Sequence, residues 1–345
     1  MVSGIISAVD LFCGVGGLTC GLIKAGIPVN AGFDIDTSCE YPYEINNYTR
    51  FVSADISKIK PSEIARYFPE HHIKILAGCA PCQPFSSYSF RYGNRDGDHR
   101  WSLLSSFERM IRGVKPDIVS MENVPLLVHH KPFADLIRTL EKLKYKHTHK
   151  LVHCESYGVA QTRTRLVLLA SKLGKIELIP ETHGPENYST VRDAIGHLEK
   201  IEAGETSDMD PIHRSQKLHP INLRRIRKSI PGGTWREWDD DMICMCHKKE
   251  TGTSYPSVYG RMSWDEPSPT ITTQFYNYGS GRFGHPEQDR ALSLREGANL
   301  QSFPNDYIFY DPSKPAKVRE IGTHIGNAVP VKIGEIIGKS IMEHI

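Results

Sequence analysis

No apolar run in the chain approaches membrane-spanning length, no secretory leader is visible, and neither an internal repeat nor a low-complexity segment occurs. A helical membrane protein, a solenoid and a disordered linker are thereby excluded. The eight cysteines are scattered without a disulfide framework, which fits a reducing compartment, so the expected location is cytoplasmic. Charge of one sign is also lacking. Lys and Arg number 42 against 40 Asp and Glu, a net charge of +2, so any surface for nucleic acid must be a local patch. What the chain does have is length: 345 residues suffice for a large domain and a smaller one, each with a buried core.

From residue 5 to about residue 172, short apolar runs alternate with segments of helical period. This predicts an α/β fold with a doubly wound, mostly parallel, Rossmann-like sheet. The predicted strands are Ile5–Phe12, Val29–Phe33, Ile73–Ala77, Asp117–Met121, His147–His153 and Leu166–Ala170. The predicted helices include Leu18–Ala25, Ser38–Asn46, Ser102–Arg112 and Pro132–Lys144. Beyond Ile179 the rhythm fails, and it returns at Ser293–Gln301 and Val331–Ile345. The expected division is a catalytic and cofactor domain over 1–180, an irregular or β-rich domain over 181–290, and a return to the first domain over 291–345.

Asp10-Leu11-Phe12-Cys13-Gly14-Val15-Gly16-Gly17 reads as a strand, a glycine turn and a helix start, where backbone N–H groups can approach a nucleotide-like ligand. Asp34, twenty residues beyond Gly14 at the end of the next strand, is placed to take both hydroxyls of an adenosine ribose. Thr19 stands where a dinucleotide fingerprint wants a small residue, so a mononucleoside without pyrophosphate fits better, and S-adenosyl-L-methionine is such a ligand. Asp55-Ile56 could meet the adenine, although Asp55 alone also reads as a cap or turn residue.

Gly78-Cys79-Ala80-Pro81-Cys82-Gln83-Pro84-Phe85-Ser86 places a thiol just after a buried strand. Cys82 is the candidate nucleophile. Burial as a small hydrophobe, a redox pair with Cys79 and half a zinc site are the competing readings. Zinc lacks a second ligand pair at a clear spacing, since Cys244-Met245-Cys246-His247 lies far away, so no metal is expected. A thioredoxin-like CxxC would open a helix, whereas Gln83-Pro84 follows at once. Glu122, in Glu122-Asn123-Val124, ends another buried strand, and Gln161-Thr162-Arg163-Thr164-Arg165 leads into the strand that begins at Leu166.

With these blocks in order, followed by Arg295-Glu296, Leu300-Gln301-Ser302-Phe303-Pro304 and Ile325-Gly326-Asn327-Ala328-Val329-Pro330, the chain resembles the cytosine-carbon-5 DNA methyltransferases of bacterial restriction–modification systems. The resemblance covers all but the variable middle. It implies methyl transfer from S-adenosyl-L-methionine to carbon 5 of a flipped-out cytosine in double-stranded DNA. Cys82 would add to carbon 6, Glu122 would hold ring nitrogen 3, and Arg165 would fix the pyrimidine carbonyl. Arg163 belongs to the same catalytic block, with the phosphate backbone as its expected contact. Asp10, Phe12, Gly14, Gly16, Gly17, Asp34, Ile35, Asp55, Ile56, Pro81, Asn327 and Val329 form the implied cofactor set. Ile35 stands where the family sometimes has an aromatic residue. The resemblance also implies a monomer, no membrane, and a genetically linked restriction endonuclease as a candidate partner. A tRNA methyltransferase would carry a Cys-Phe-Thr signature that is absent here, and a silent DNA-binding relative would have lost Cys82 or Glu122.

DNA contacts are expected from two places. The polar loop after Cys82 offers Ser86, Arg91 and Arg95. Farther along, Arg214, Lys217, Arg224, Arg225, Arg227 and Lys228 fall within fifteen residues among apolar ones, which suggests phosphate contact, with a solvated basic face as the competing reading. Of these, Arg224, Arg225 and Arg227 are the DNA candidates.

Overall fold

The computed structural model describes residues 5–81, 101–249 and 252–345. The expectations for Cys82, Ser86, Arg91 and Arg95 fall outside the described residues. The chain divides into two compact units, one of residues 1–157, 164–182 and 328–345, the other of residues 158–163 and 183–327.

In the first unit, β1 (Ile6–Leu11), β2 (Val29–Asp34), β3 (Arg50–Ser53), β4 (Ile73–Gly78), β5 (Ile118–Asn123), β6 (Lys146–His153) and β7 (Thr164–Ser171) form one sheet in the order β3-β2-β1-β4-β5-β7-β6. The first five strands are parallel, while β7 runs antiparallel to β5 and β6 antiparallel to β7. Helices α1 (Gly17–Lys24), α2 (Glu40–Asn47), α3 (Pro61–Ala65), α4 (Trp101–Val114) and α5 (Lys131–Lys142) make the connections. Strand β5 is buried at all six positions, as a central strand covered on both faces must be, whereas edge strand β6 exposes Lys146 and Lys150 and so blunts that edge. The chain leaves β1 toward β2 and β3, then crosses back to β4 on the other side of β1, which opens a crevice at the carboxyl ends of β1 and β4.

One face of the sheet packs on α4 and α5. Phe107, Met110 and Ile111 of α4 are wholly buried against Val9, Leu76 and Val119, each such side chain contributing about 1.5–3 kcal/mol. Elsewhere α1 packs on the C-terminal helix Val331–His344 at backbone contact, since a Cβ at Gly21 would stand 2.4 Å from the carbonyl of Val331 and the amide of Glu335. Only glycine allows that approach.

The second unit contains helices α6 (Val191–Ile195), α7 (Pro220–Lys228), α8 (Leu294–Leu300) and α9 (Val318–Asn327). Between them run turns joined by isolated bridges such as Thr206↔Arg214 and Pro231↔Arg261, and no strand is formed among its described residues. Of the two expected characters, irregular and β-rich, it takes the irregular one. The sequence pattern also places the return to the first unit at 291, whereas the structure keeps α8 and α9 in the second. The reason is local. Arg290 and Glu296, 0 % exposed each, form a paired hydrogen bond of 2.8 and 2.7 Å, and Arg295 pairs with Asp210, so the start of α8 is bound into the irregular unit.

Candidate active site

In the first unit the ends of the parallel strands bring the expected residues to one edge of the sheet. After β1 the chain turns through Phe12 at φ 61°, Gly14 at φ 50° and Gly16 at φ 93°. Left-handed backbone at three positions in five wraps the turn into a concave strand-to-helix junction, and an aromatic residue in that region is uncommon. A Cβ at Gly14 would meet nothing within 4 Å, so the glycine serves conformation and leaves open space above the turn.

Asp34 holds this junction. Its Oδ2 accepts the Gly14 amide at 2.9 Å and its Oδ1 the Asp36 amide at 2.9 Å. Each carboxylate oxygen keeps a second lone pair for a ligand hydroxyl. Ile35 next to it is 67 % exposed, an apolar side chain at a strand end with no core to enter. Asp10 is different. It is 0 % exposed, accepts the Thr19 hydroxyl at 2.8 Å on Oδ2, and its Oδ1 has no hydrogen-bond partner among the described residues. Burial pushes its pKa up to about 7, with the Thr19 bond opposing and the Asp34 charge adding. Asp55 closes a local turn, taking the amide and hydroxyl of Ser57 at 3.0 and 2.6 Å and the Lys58 ammonium at 3.1 Å, while Ile56 is buried in the core.

At the neighbouring strand ends, Glu122 is 2 % exposed and lies between two groups. The Cys79 thiol donates to its Oε2 at 2.9 Å, and Arg165 Nε stands 3.0 Å from its Oε1 without the alignment of a hydrogen bond. Burial, reinforced by the Glu122 charge, pushes the Cys79 thiol far above its ordinary pKa, so it remains a protonated donor. Asn123 then ties β5 to the loop after β4, its side-chain amide donating to the Ala80 carbonyl at 3.0 Å, one residue before the exposed Pro81. That bond fixes the chain just ahead of Cys82.

The other expected residues are held as follows. Arg163 belongs to the second unit, is 4 % exposed, and donates to the Ile271 carbonyl at 3.1 Å and the Gln161 side chain at 3.4 Å. It acts as a strut there. Asn327 is exposed at the end of α9, and Val329 is 5 % exposed in the first unit. In α7, Arg224 pairs with Asp241 at 2.8 Å and Arg227 with Asp289 at 3.1 Å. Arg225 is buried, donating to the Met242 carbonyl and Asn222 and lying over the Trp238 and Tyr259 rings. Sequence reasoning missed the link from Cys79 to Glu122. The two are 43 residues apart and meet only because β4 and β5 are parallel neighbours, with Gly78 opposite Met121.

The family described as C-5 cytosine-specific DNA methylase matches residues 6–343 of the chain. A Type II methylase of Herpetosiphon aurantiacus, M.HgiDII, is 53 % identical over 338 residues, covering 97 % of this chain and 94 % of its own. The Type II methyltransferase M.Eco47II of Escherichia coli is 30 % identical, covering 99 % and 79 %. Among solved structures, a putative DNA modification methyltransferase from an E. coli prophage superposes with a TM-score of 0.72 at 22 % identity, covering 98 % of this chain and 99 % of that one. At that identity the likeness speaks for the fold.

Proposed function

The chain belongs to the C-5 cytosine-specific DNA methylase family and is a DNA (cytosine-5) methyltransferase, and from that premise we propose its donor, its covalent route and its setting. The donor is S-adenosyl-L-methionine, the route is a Cys82 adduct, and the setting is the self-protecting half of a Type II restriction system with a linked endonuclease as partner. The observation that supports the route best is Glu122, buried and held between the Cys79 thiol and Arg165, one strand away from the anchored turn that leads into Cys82.

The first unit fits the donor. Asp34 keeps lone pairs for a ribose, Ile35 offers an apolar face for adenine, and the left-handed turn at Gly14 and Gly16 leaves space above the backbone. When bound, S-adenosyl-L-methionine supplies a sulfonium methyl for carbon 5. Phe12, Gly17, Ile56, Pro81 and Val329 remain further candidates for that site, and Asp10 and Asp55 act through the Thr19 and Ser57 groups they bind.

The chemistry then follows from the side chains. The cytosine must leave the duplex, at a cost of roughly a few kcal/mol. The Cys82 thiolate forms a bond to carbon 6, the ring's carbon 5–carbon 6 π pair becomes available at carbon 5, and Glu122 delivers or shares a proton at nitrogen 3 to balance the charge. Arg165 keeps Glu122 in place and offers its remaining N–H groups to the pyrimidine carbonyl. Once carbon 5 is methylated, a base removes its proton, the electron pair re-forms the double bond, Cys82 leaves as thiolate, and nitrogen 3 returns its proton to Glu122.

A duplex of the correct sequence carrying 5-fluorocytosine tests this. Fluorine cannot leave as a proton, so protein and DNA should remain joined on a denaturing gel, with S-adenosyl-L-methionine required and the peptide crosslink mapping to Cys82. A crosslink at Cys79, or an equal yield from Cys82→Ser, overturns the route. Sequencing of methylated cytosines in DNA from expressing cells tests the setting and yields the recognised sequence.

A further inference from the structure

The second unit holds a cavity of about 390 Å³ lined by Gly204, Arg214, Gln216, Lys217 and Tyr276. Its wall is a short hairpin. Thr206 bridges Arg214 antiparallel, the Ser207 amide donates to the His213 carbonyl at 2.9 Å, and the Ser215 amide donates to the Glu205 carbonyl at 3.0 Å. Two buried side chains anchor the hairpin. His213 is buried, its ring bonded to the Ser293 hydroxyl at 2.9 Å and to the Glu199 carbonyl at 3.0 Å. Ser215 is buried as well and donates to the Ala291 carbonyl at 3.2 Å. These two anchors seat the hairpin, and Arg214, Ser215 and Gln216 in succession line the cavity. At the hairpin's base Gly204 sits at φ 92°, and a Cβ there would come 3.2 Å from the Cβ of Lys217, so the glycine admits the close approach of Lys217.

The charge pattern is what singles the cavity out. Arg224, Arg227 and Lys228, only a few residues on, each face a carboxylate. Arg214 and Lys217 have no carboxylate partner among the described residues, although both line one small concavity. Two cations that line one concavity without a counter-charge repel each other, and an anion between them relieves that repulsion. Arg supplies a planar fork, Lys a point charge and Gln an amide donor, a set suited to phosphate oxygens.

We propose that this cavity receives one phosphodiester of the DNA backbone, with Arg214 and Lys217 as its charge partners and Gln216 as a neutral donor. The proposal rests on the reading of the chain as an enzyme acting on duplex DNA, and it moves the main phosphate contact away from the 224–227 run.

The test is duplex affinity against salt, measured by fluorescence anisotropy with the full chain. Arg214→Gln with Lys217→Gln keeps two half-exposed or exposed polar side chains and so spares the core. It should weaken binding on the order of tenfold at 0.1 M salt and lower the log–log salt slope by about one unit, equally for all sequences. Arg224→Gln with Arg227→Gln should leave the slope within about a third of a unit of the parent. An unchanged slope in the 214/217 variant of a protein that still methylates duplex DNA overturns this inference alone. A parent protein that neither binds nor methylates duplex DNA overturns the functional reading beneath it and this inference together.

Discussion

The two units solve the same problem, satisfying buried backbone groups, by different means. In the first, a seven-stranded sheet pairs its own N–H and C=O groups and leaves side chains free to pack or to react. In the second, long irregular segments leave carbonyls that no ladder reaches, and arginines supply the donors. Arg261 alone donates to the carbonyls of Ile226, Ser229, His285 and Gln288 and pairs with Asp289. Arg290 reaches the carbonyls of Ile201 and Ala291 as well as Glu296. A guanidinium has five donors in a fixed plane, so one buried arginine can close several turns at once. Basic residues of an irregular unit therefore count toward its fold before they count toward DNA.

The largest effects are expected at the reacting edge of the first unit. Glu122→Gln keeps shape but not charge or proton, and should reduce kcat on the order of 10²–10⁴-fold with the melting midpoint little changed. Cys79 sharpens the point. Cys79→Ala removes the donor to Glu122 Oε2, so the pH profile of kcat should move, and Cys79→Ser, which keeps a donor, should restore it in large part. If Cys79→Ala lowers stability but leaves the pH profile where it was, the thiol only fills space.

Next in size is the contrast in what holds each unit together. In the first, Phe107→Ala should cost about 3–5 kcal/mol through the cavity it leaves, with no dependence on pH near neutrality. In the second, Arg290→Met should cost about 3–5 kcal/mol because it strands the Glu296 carboxylate and several carbonyls. Burial raises the Glu296 carboxyl, but the Arg290 charge and hydrogen bonds outweigh it and draw the group down to about 2. A depressed carboxyl gives stability above its unfolded value of about 4.3 that is lost as pH falls toward 2, so acid should destabilise the second unit of the parent, whereas in Arg290→Met protonation relieves the stranded Glu296 and the deficit relative to the parent should shrink as pH falls. Denaturant titrations at several pH values check both. Equal sensitivity of the two variants to pH refutes the division drawn between the units.

How much of this the sequence disclosed follows the same division. Period-2 and period-3.6 patterns revealed six of the seven strands, because a sheet covered by helices writes its burial into local sequence. Strand β3 was missed, being only four residues with Phe51 as its one buried side chain. Helix α7 was hidden by four basic residues, and α9 by Arg319, Glu320 and His324 interrupting its apolar face. The sites divide similarly. Asp34 and Glu122 stand at strand ends, where position along the chain predicts position in space. The arginines of the second unit could not be sorted into struts and free charges, because their partners lie up to 108 residues away. Arg295 and Glu296 show the limit of motif reading, since a block that marks the family turns out to bind a helix start into its surroundings.

Asp10 gives a smaller effect of known sign. Its folded pKa of about 7 lies above an unfolded value of about 3.9, so the folded state binds the extra proton between those limits. Stability is then highest below about pH 4 for this group alone and declines as pH rises to about 7, by a few kcal/mol at most. Asp10→Asn, which cannot ionise and still accepts from Thr19, should gain on the parent as pH rises through that window and show a constant difference above it. A difference that stays flat from pH 4 to pH 8 means that Asp10 is ionised throughout.

The smallest effect concerns α7. Arg224 and Arg227 each pair with a carboxylate near the surface, at 2.8 and 3.1 Å, with side chains about 60 % exposed. Pairs of that kind are screened by salt, and the side chains lose freedom to form them, so removal changes little. Arg224→Ala with Arg227→Ala should move the melting midpoint by less than about 2 °C. Arg225 lies on the same helix and is opposite in character, buried between the Trp238 and Tyr259 rings and donating to the Met242 carbonyl at 2.8 Å. Arg225→Ala should therefore lower the midpoint several times further than the double change, through lost packing as well as an unmatched carbonyl. Differential scanning fluorimetry of the two proteins side by side decides it. If the double variant is the less stable, the rule that buried arginines carry the fold of the second unit while exposed ones do not is wrong for this helix.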